Sequence, residues 1–280
     1  MQIKNIDLTE QTKPELENLQ KHVFEHIQTI LGVGLIEELD RFTRKEIEAK
    51  IVDLRENNRL NLVIDNLVRK ILHQCGVESD FLQFPVNIRV ISSGISSEYE
   101  QQDFNVDTVH CDHWSGAPDD SYNCYLYLRK TKTSPSLIHF KVPTNQFIEV
   151  ENYKGPYKNA PKLQLERIEH RAYTGLLQVF NCKTPHMIDR KGSGATISLD
   201  FRLRNRSNVF ALDLSEKADS EWTSSKMTSL GVYWKTHNFS VATIREKIEE
   251  ELRKTEYLGE RYRKLRLEYC KRFYDYKASP

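Results

Sequence analysis

A mainly β fold with flanking α-helices is predicted, an antiparallel sandwich or barrel covered by N- and C-terminal helical segments. Three observations predict it: short β-branched or aromatic runs divided by turn residues fill 86–212, amphipathic helical periods fill 1–76, and another helical period begins near Ser240. Few helical patterns lie between the strands, which argues against a parallel sheet, since that needs crossover helices. One domain, 1–280, accommodates all three: N-terminal helices over 1–76, the β core over 86–212 and C-terminal helices over 240–275.

In the first regime, Thr12 followed by Pro14 is a helix start, and Leu16, Leu19, Val23, Ile27 and Ile30 recur at three- and four-residue steps before Gly32 and Gly34. Ile47, Ile51 and Leu54, then Val63, Leu67, Ile71 and Leu72, repeat that period, and Gly76 closes the last helix. In the second, "VNIRVIS", "DTVHCDH", "NCYLYLR", "LIHFKV", "FIEVEN", "GLLQVFNC" and "TISLDFRLR" read as strands, whereas 150–171 is a turn-rich excursion in which "LQLERIEHR" reads as a short helix. In the third, Ser240 caps "VATIREKIEEELRK", with Val241, Ile244, Ile248 and Leu252 on one face. That charged helix is expected to pack on the barrel or on a second subunit, as in a homodimer.

Composition narrows the function. Lys and Arg number 41 against 40 Asp and Glu, so the chain offers no global attraction for nucleic acid or an anionic membrane. No apolar run approaches the ~20 residues that span a bilayer, and the polar start "MQIKNIDLTEQTKPELENLQ" lacks the apolar stretch of a signal peptide. Five scattered cysteines without a CxxC pair indicate neither a disulfide framework nor a zinc ribbon. A cytoplasmic protein acting on a small molecule is expected.

The chemistry is concentrated in "VDTVHCDHW", residues 106–114. In an extended strand residues i and i+2 share a face, so His110 and Asp112 point together and Val109 and Cys111 point away. "NCKTPHMIDRKGSG" then supplies His186 just after a strand. Two imidazoles and one carboxylate, leaving coordination positions open, form the facial triad that suits non-haem Fe(II). Next comes "GATISLDFRLR", which alternates Ile197, Leu199, Phe201 and Leu203 with Ser198, Asp200, Arg202 and Arg204. "NCYLYLR" likewise divides Cys124, Leu126 and Leu128 from Asn123, Tyr125 and Tyr127. With helices to cover the apolar face, the polar face is expected to line the barrel interior.

The order HxD, distal His and then Arg on the next strand, in "VHCDHWSGAPDDSYNCYLYL" and "TPHMIDRKGSGATISLDFRLR", resembles the Fe(II)/2-oxoglutarate-dependent oxygenase superfamily over about residues 86–205. Within it, these motifs are similar to the small-molecule-tailoring branches, including phytanoyl-CoA-hydroxylase-like enzymes. The resemblance implies a double-stranded β-helix (jelly-roll, cupin-like) core, with His110, Asp112 and His186 as iron ligands and 2-oxoglutarate and O2 as co-substrates. It favours hydroxylation of an unactivated C–H bond with release of succinate and CO2, since members that halogenate usually lack the carboxylate, and leaves desaturation or ring closure as alternatives. Arg202, 16 residues past His186, takes the distal carboxylate of 2-oxoglutarate in this scheme, with Arg204 and Arg190 behind it. Asn123 and Tyr125 are read equally as hydrogen-bond partners of 2-oxoglutarate or substrate and as ordinary strand packing.

The remaining candidates have plainer readings. Cys111 is assigned to the core, His113 to the pocket wall or surface, and Trp114 to a lid or a loop anchor. For Arg89 a surface or structural role is favoured over substrate contact, and His22, His26, His73, His139, His170 and His237 are read as structural or solvated. Two other classes of function compete with the oxygenase: a cupin-like metal or sugar binder without redox chemistry, and a degenerate oxygenase fold serving as an assembly partner. Neither needs the complete triad followed by a basic strand residue.

Overall fold

The computed structural model describes residues 3–10, 12–47, 50, 62–77, 81–84, 86–94, 105–115, 117, 121–153, 155–204 and 232–235. The C-terminal helices expected over 240–275 lie outside the described residues.

Two antiparallel sheets face each other. The larger runs β1 (Ile3–Asp7), β7 (Leu176–Asn181), β4 (Ser121–Arg129), β9 (Ala195–Arg204), β2 (Phe81–Phe84) and β10 (Val232–Lys235), with β3 (Asn87–Ser92) also on β9. The smaller runs β6 (Glu166–Ile168), β5 (Ser136–Lys141) and β8 (His186–Asp189), and His110 extends it through a bridge to His186. Ile91, Tyr125, Tyr127, Leu176 and Phe180 from the first sheet pack with Leu137 and Ile188 from the second.

Registers fix which side chains share the inner face. Arg89, Ser198 and Tyr127 form one row; Asn87, Asp200, Tyr125, Gln178 and Asn5 form the next; Arg202, Asn123, Phe180 and Ile3 form the third. The outer face of the same strands carries Ile88, Cys124, Leu126, Leu177, Ile197, Leu199 and Phe201. These pack against α1 (Lys13–Leu31) through Leu16, Leu19, Val23, Ile27 and Leu31, and against α2 (Leu62–Gln74) through Leu67, Val68, Ile71 and Leu72. The polar face is therefore turned inward, as the alternation in β9 and β4 predicts. Because the helices bury the apolar face, the sheet tolerates charge inside.

Helix limits follow local chemistry. Pro14 sits in the first turn of α1, and Gly32 ends it in the left-handed region at φ 69°. At the start of α2 the buried residue is Ile64, whereas Val63 is exposed.

Four sequence expectations are corrected. The chain begins with β1, whose five residues pair with β7, before any helix forms. "FIEVEN" is not a strand but α3 (Phe147–Asn152), a short helix that buries Val150 against Trp114, Val142 and Tyr157. "LQLERIEHR" is not a helix; Glu166–Ile168 completes the β5 ladder, which satisfies backbone groups that so short a helix would leave open. "DTVHCDH" is not a continuous strand either, since His110 makes a single bridge and Asp112–Ser115 is a 3-10 turn.

Candidate metal centre

The segment carrying His110 lies along β8. Ile188 donates its N–H to the Val106 carbonyl at 2.9 Å, and His110 and His186 exchange backbone hydrogen bonds of 2.9 and 2.8 Å. The chain then turns, and the 3-10 geometry, rather than strand parity, swings the Asp112 carboxylate back between the two rings.

Three ligand atoms converge. Asp112 Oδ1 lies 3.7 Å from His110 Nε2 and 3.6 Å from His186 Nε2. The three residues are buried, and their ligand atoms all lie within 4.8 Å of one another. Contacts of this length are too long for hydrogen bonds, but two bonds of ~2.1 Å to one ion bridge them. The opposite edge of each ring is fixed: His110 Nδ1 meets the Thr108 carbonyl at 2.7 Å and His186 Nδ1 the Thr184 carbonyl at 2.8 Å. With Nδ1–H donated to a carbonyl, each ring turns Nε2 inward, as metal-bound imidazoles require.

Electrostatics agree. Burial, followed by the neighbouring His186, lowers His110 to about 3, so it stays neutral and able to coordinate. For Asp112 burial is the largest influence and pushes upward, yet Arg202 and the two imidazoles outweigh it and hold the carboxyl below its usual range. Arg202 Nη2 donates to Asp112 Oδ2 at 2.6 Å and Nε to Asn123 Oδ1 at 3.1 Å. One carboxylate oxygen thus faces the rings and the other the guanidinium.

The other candidates fall into place around this centre. Tyr125 is buried on the inner face, its phenol pushed up to about 12 by burial against a smaller downward pull from the nearby Ser198 hydroxyl. Neither hydroxyl makes a hydrogen bond of ordinary geometry. Arg190 donates to Asp107 Oδ1 at 2.7 Å and to the Ser92 carbonyl at 2.9 Å, tying β8 to β3; Asp107 also accepts from Arg44 at 2.5 Å. The side chain of Arg204 lies outside the described residues. Cys111 is core, packed with Trp114, Val142, Val150 and Tyr157. Trp114 is a buried loop anchor, donating to the Val150 carbonyl at 2.8 Å.

Sequence reasoning overlooked one residue near the centre, Tyr157, and gave two others, His139 and Arg89, only structural or surface readings. Tyr157 stacks on His110 at 4.2 Å between ring centroids and 20° between planes. His139, the register partner of His186, is fully buried between Phe180 and His170 with neither ring nitrogen hydrogen-bonded. Arg89 is the register partner of Ser198, and both its Nε, at 2.8 Å, and its Nη2 donate to Asp200 Oδ2. Alternation in "VNIRVIS" was the one signal available for Arg89; the other two depend on long-range pairing.

No family model and no curated protein matches the chain. Among solved structures it is similar to an N-substituted L-amino acid dioxygenase in complex with alpha-KG from Burkholderia ambifaria AMMD, at 11% identity and TM-score 0.33, covering 67% of this chain and 79% of that one. It is also similar to the non-heme monooxygenase ThoJ, at 11% identity and TM-score 0.41, covering 72% and 74%. A third is EctD from S. alaskensis with 2-oxoglutarate and 5-hydroxyectoine, at 12% identity and TM-score 0.34, covering 74% and 73%.

Proposed function

We propose that the protein is an Fe(II)- and 2-oxoglutarate-dependent oxygenase that hydroxylates a C–H bond of a small-molecule metabolite. One observation carries the reading: His110 and His186 both turn Nε2 toward the same oxygen of Asp112, inside two facing sheets whose inner surface is polar. Two imidazoles and one carboxylate make a donor set for Fe(II) that leaves positions open. Polar atoms on the same inner face support a bound co-substrate, since among the described residues Ser198 Oγ, Tyr125 Oη and Asn123 Nδ2 are buried without a hydrogen bond of ordinary geometry.

When bound, iron and 2-oxoglutarate supply the oxidative chemistry, in which dioxygen gives succinate, CO2 and one oxygen atom for the substrate. The chain contributes geometry. Thr108 and Thr184 carbonyls set the two rings, Arg202 orients Asp112 so that Oδ1 remains for the metal, and Tyr157 covers the outer side of His110.

Anaerobic addition of Fe(II) and 2-oxoglutarate tests the proposal. The expected result is a weak visible charge-transfer band that Asp112→Ala and His186→Ala abolish, and succinate formation once oxygen is admitted. A band unchanged in both variants would rule out these ligands, and iron binding without succinate from a broad substrate panel would favour the non-redox binder.

A further inference from the structure

We propose that Arg89, together with the hydroxyls of Tyr125 and Ser198, seats the distal carboxylate of the co-substrate, and that Arg202 is a positioning residue for Asp112. The inference rests on the function proposed above and names a different residue from the one the family resemblance suggests.

Commitment separates the two arginines. Arg202 has Nη2 on Asp112 and Nε on Asn123, and its side chain is 7% exposed. Its bond to Asp112 Oδ2 is compatible with a metal on Oδ1, so metal binding does not release it. Among the described residues Arg89 turns Nε and Nη2 to Asp200, and 25% of its side chain remains exposed. Arg89 is thus the more accessible of the two arginines.

The groups beside it are orphaned. Ser198 lies directly opposite Arg89 and Tyr125 opposite Asp200 in the next row, so all three share the inner face. Among the described residues, the Tyr125 hydroxyl and Ser198 Oγ are buried neighbours close enough to act on each other, and neither makes a hydrogen bond of ordinary geometry. Leaving such donors unmet costs ~1–3 kcal/mol each, and a carboxylate accepts from both and from a guanidinium at once.

Spacing and charge fit the same ligand. Asp200 precedes Arg202 by two residues, or ~7 Å along the strand. Arg89 acts electrostatically on His110 and Asp112 and hydrogen-bonds to neither. A short keto diacid held at the triad by its keto end would span that gap with its far carboxylate. The Arg89–Asp200 and Arg202–Asp112 pairs are each neutral, so a divalent ion leaves an excess charge that a dianion cancels.

The test titrates the Fe(II)-loaded full chain, without oxygen, with 2-oxoglutarate and with 2-oxobutyrate, which has the same keto-acid end and no distal carboxylate. Calorimetric Kd values and the visible band are read, and iron affinity is measured separately with the metal alone. Wild type is expected to prefer 2-oxoglutarate by about 100-fold. Arg89→Gln, made with Asp200→Asn so that no buried carboxylate is stranded, is expected to erase that preference and leave iron affinity unchanged; Arg89→Lys restores it in part. Arg202→Gln is expected to weaken iron binding and keep the preference. A preference retained without Arg89, or lost without Arg202 at saturating iron, overturns the assignment. A wild type that binds no iron, or no 2-oxoglutarate, instead sinks the oxygenase reading before any variant is compared. If the Arg89 variant does not fold by circular dichroism, Tyr125→Phe and Ser198→Ala carry the test, and an unchanged preference in both overturns it.

Discussion

Arg202 Nη2 and Asp112 Oδ2 stand 2.6 Å apart, while the other oxygen of the same carboxylate faces both His110 and His186. One carboxylate is shared between an arginine and a candidate metal position. Removing the arginine leaves Asp112 buried without its strongest counter-charge. Arg202→Gln is expected to raise the Kd for Fe(II) by about 10–100-fold while the fold persists, as loss of outer-shell partners does elsewhere. Anaerobic metal titration at pH 7, paired with circular dichroism, checks it; wild-type affinity would show that Asp112 needs no such support.

How much of this site was legible depended on whether residue type or backbone path decided it. His110, Asp112 and His186 were legible because ligand chemistry is written in the side chains themselves. Strand parity is not what joins the first two, since the chain leaves extended geometry after His110 and the 3-10 turn achieves what parity was expected to achieve. The inward polar face was legible in β9 and β4 because alternation survives even without knowing which side is covered. Arg89 was legible only as a structural or surface residue, because its pairing with Asp200 needs the knowledge that β3 lies on β9. Tyr157 reaches His110 from the turn-rich excursion, where no period exists to read.

Asp40 offers a pH-dependent test of how the helical cover is tied to the sheet. Its carboxylate accepts from Arg129 Nη1 at 2.9 Å and Nη2 at 2.6 Å and from the Ala195 N–H at 2.8 Å. The Arg129 hydrogen bonds are the main cause that holds its pKa below the ordinary value. A carboxyl depressed on folding stabilises above its unfolded value of ~3.9 and loses that contribution as pH falls through the folded value. Because the Asp40 side chain is 36% exposed, Asp40→Asn is expected to cost only about 1 kcal/mol at pH 7. The urea midpoints of the two proteins should draw together as pH falls below the ordinary carboxylate value and through the lowered folded one; a gap that stays constant across that fall would assign the cost to shape rather than charge.

Two glycines should separate strain from collision. Gly76 has φ 62° and nothing within 4 Å of where a Cβ would stand, whereas a Cβ on Gly192, at φ 109°, would meet the Thr133 carbonyl oxygen at 2.0 Å. Gly76→Ala is expected to cost ~1 kcal/mol, the left-handed penalty alone. Gly192→Ala should cost roughly 3 kcal/mol or more, because two backbones must part. Gly192 also joins β8 to β9, so its variant should lose metal affinity as well as stability. Equal urea midpoints for the two variants would show that the turn yields freely.

The two faces of β9 provide the sharpest contrast. Leu199 and Ser198 are adjacent and both fully buried, but Leu199 packs with the helices and Ser198 points inward with an unpartnered hydroxyl. Leu199→Ala removes buried methyl groups and leaves a cavity, so a loss of about 2–5 kcal/mol in urea unfolding of the metal-free protein is expected. Ser198→Ala deletes an unsatisfied polar atom and should leave stability unchanged or slightly higher. The same substitution should weaken 2-oxoglutarate binding severalfold, since that hydroxyl is one of the groups assigned to the distal carboxylate. A face selected for packing and a face selected for a ligand thus respond oppositely to truncation. If Ser198→Ala destabilised the free protein as much as Leu199→Ala, the hydroxyl would have a structural partner and the inner face would be core rather than binding surface.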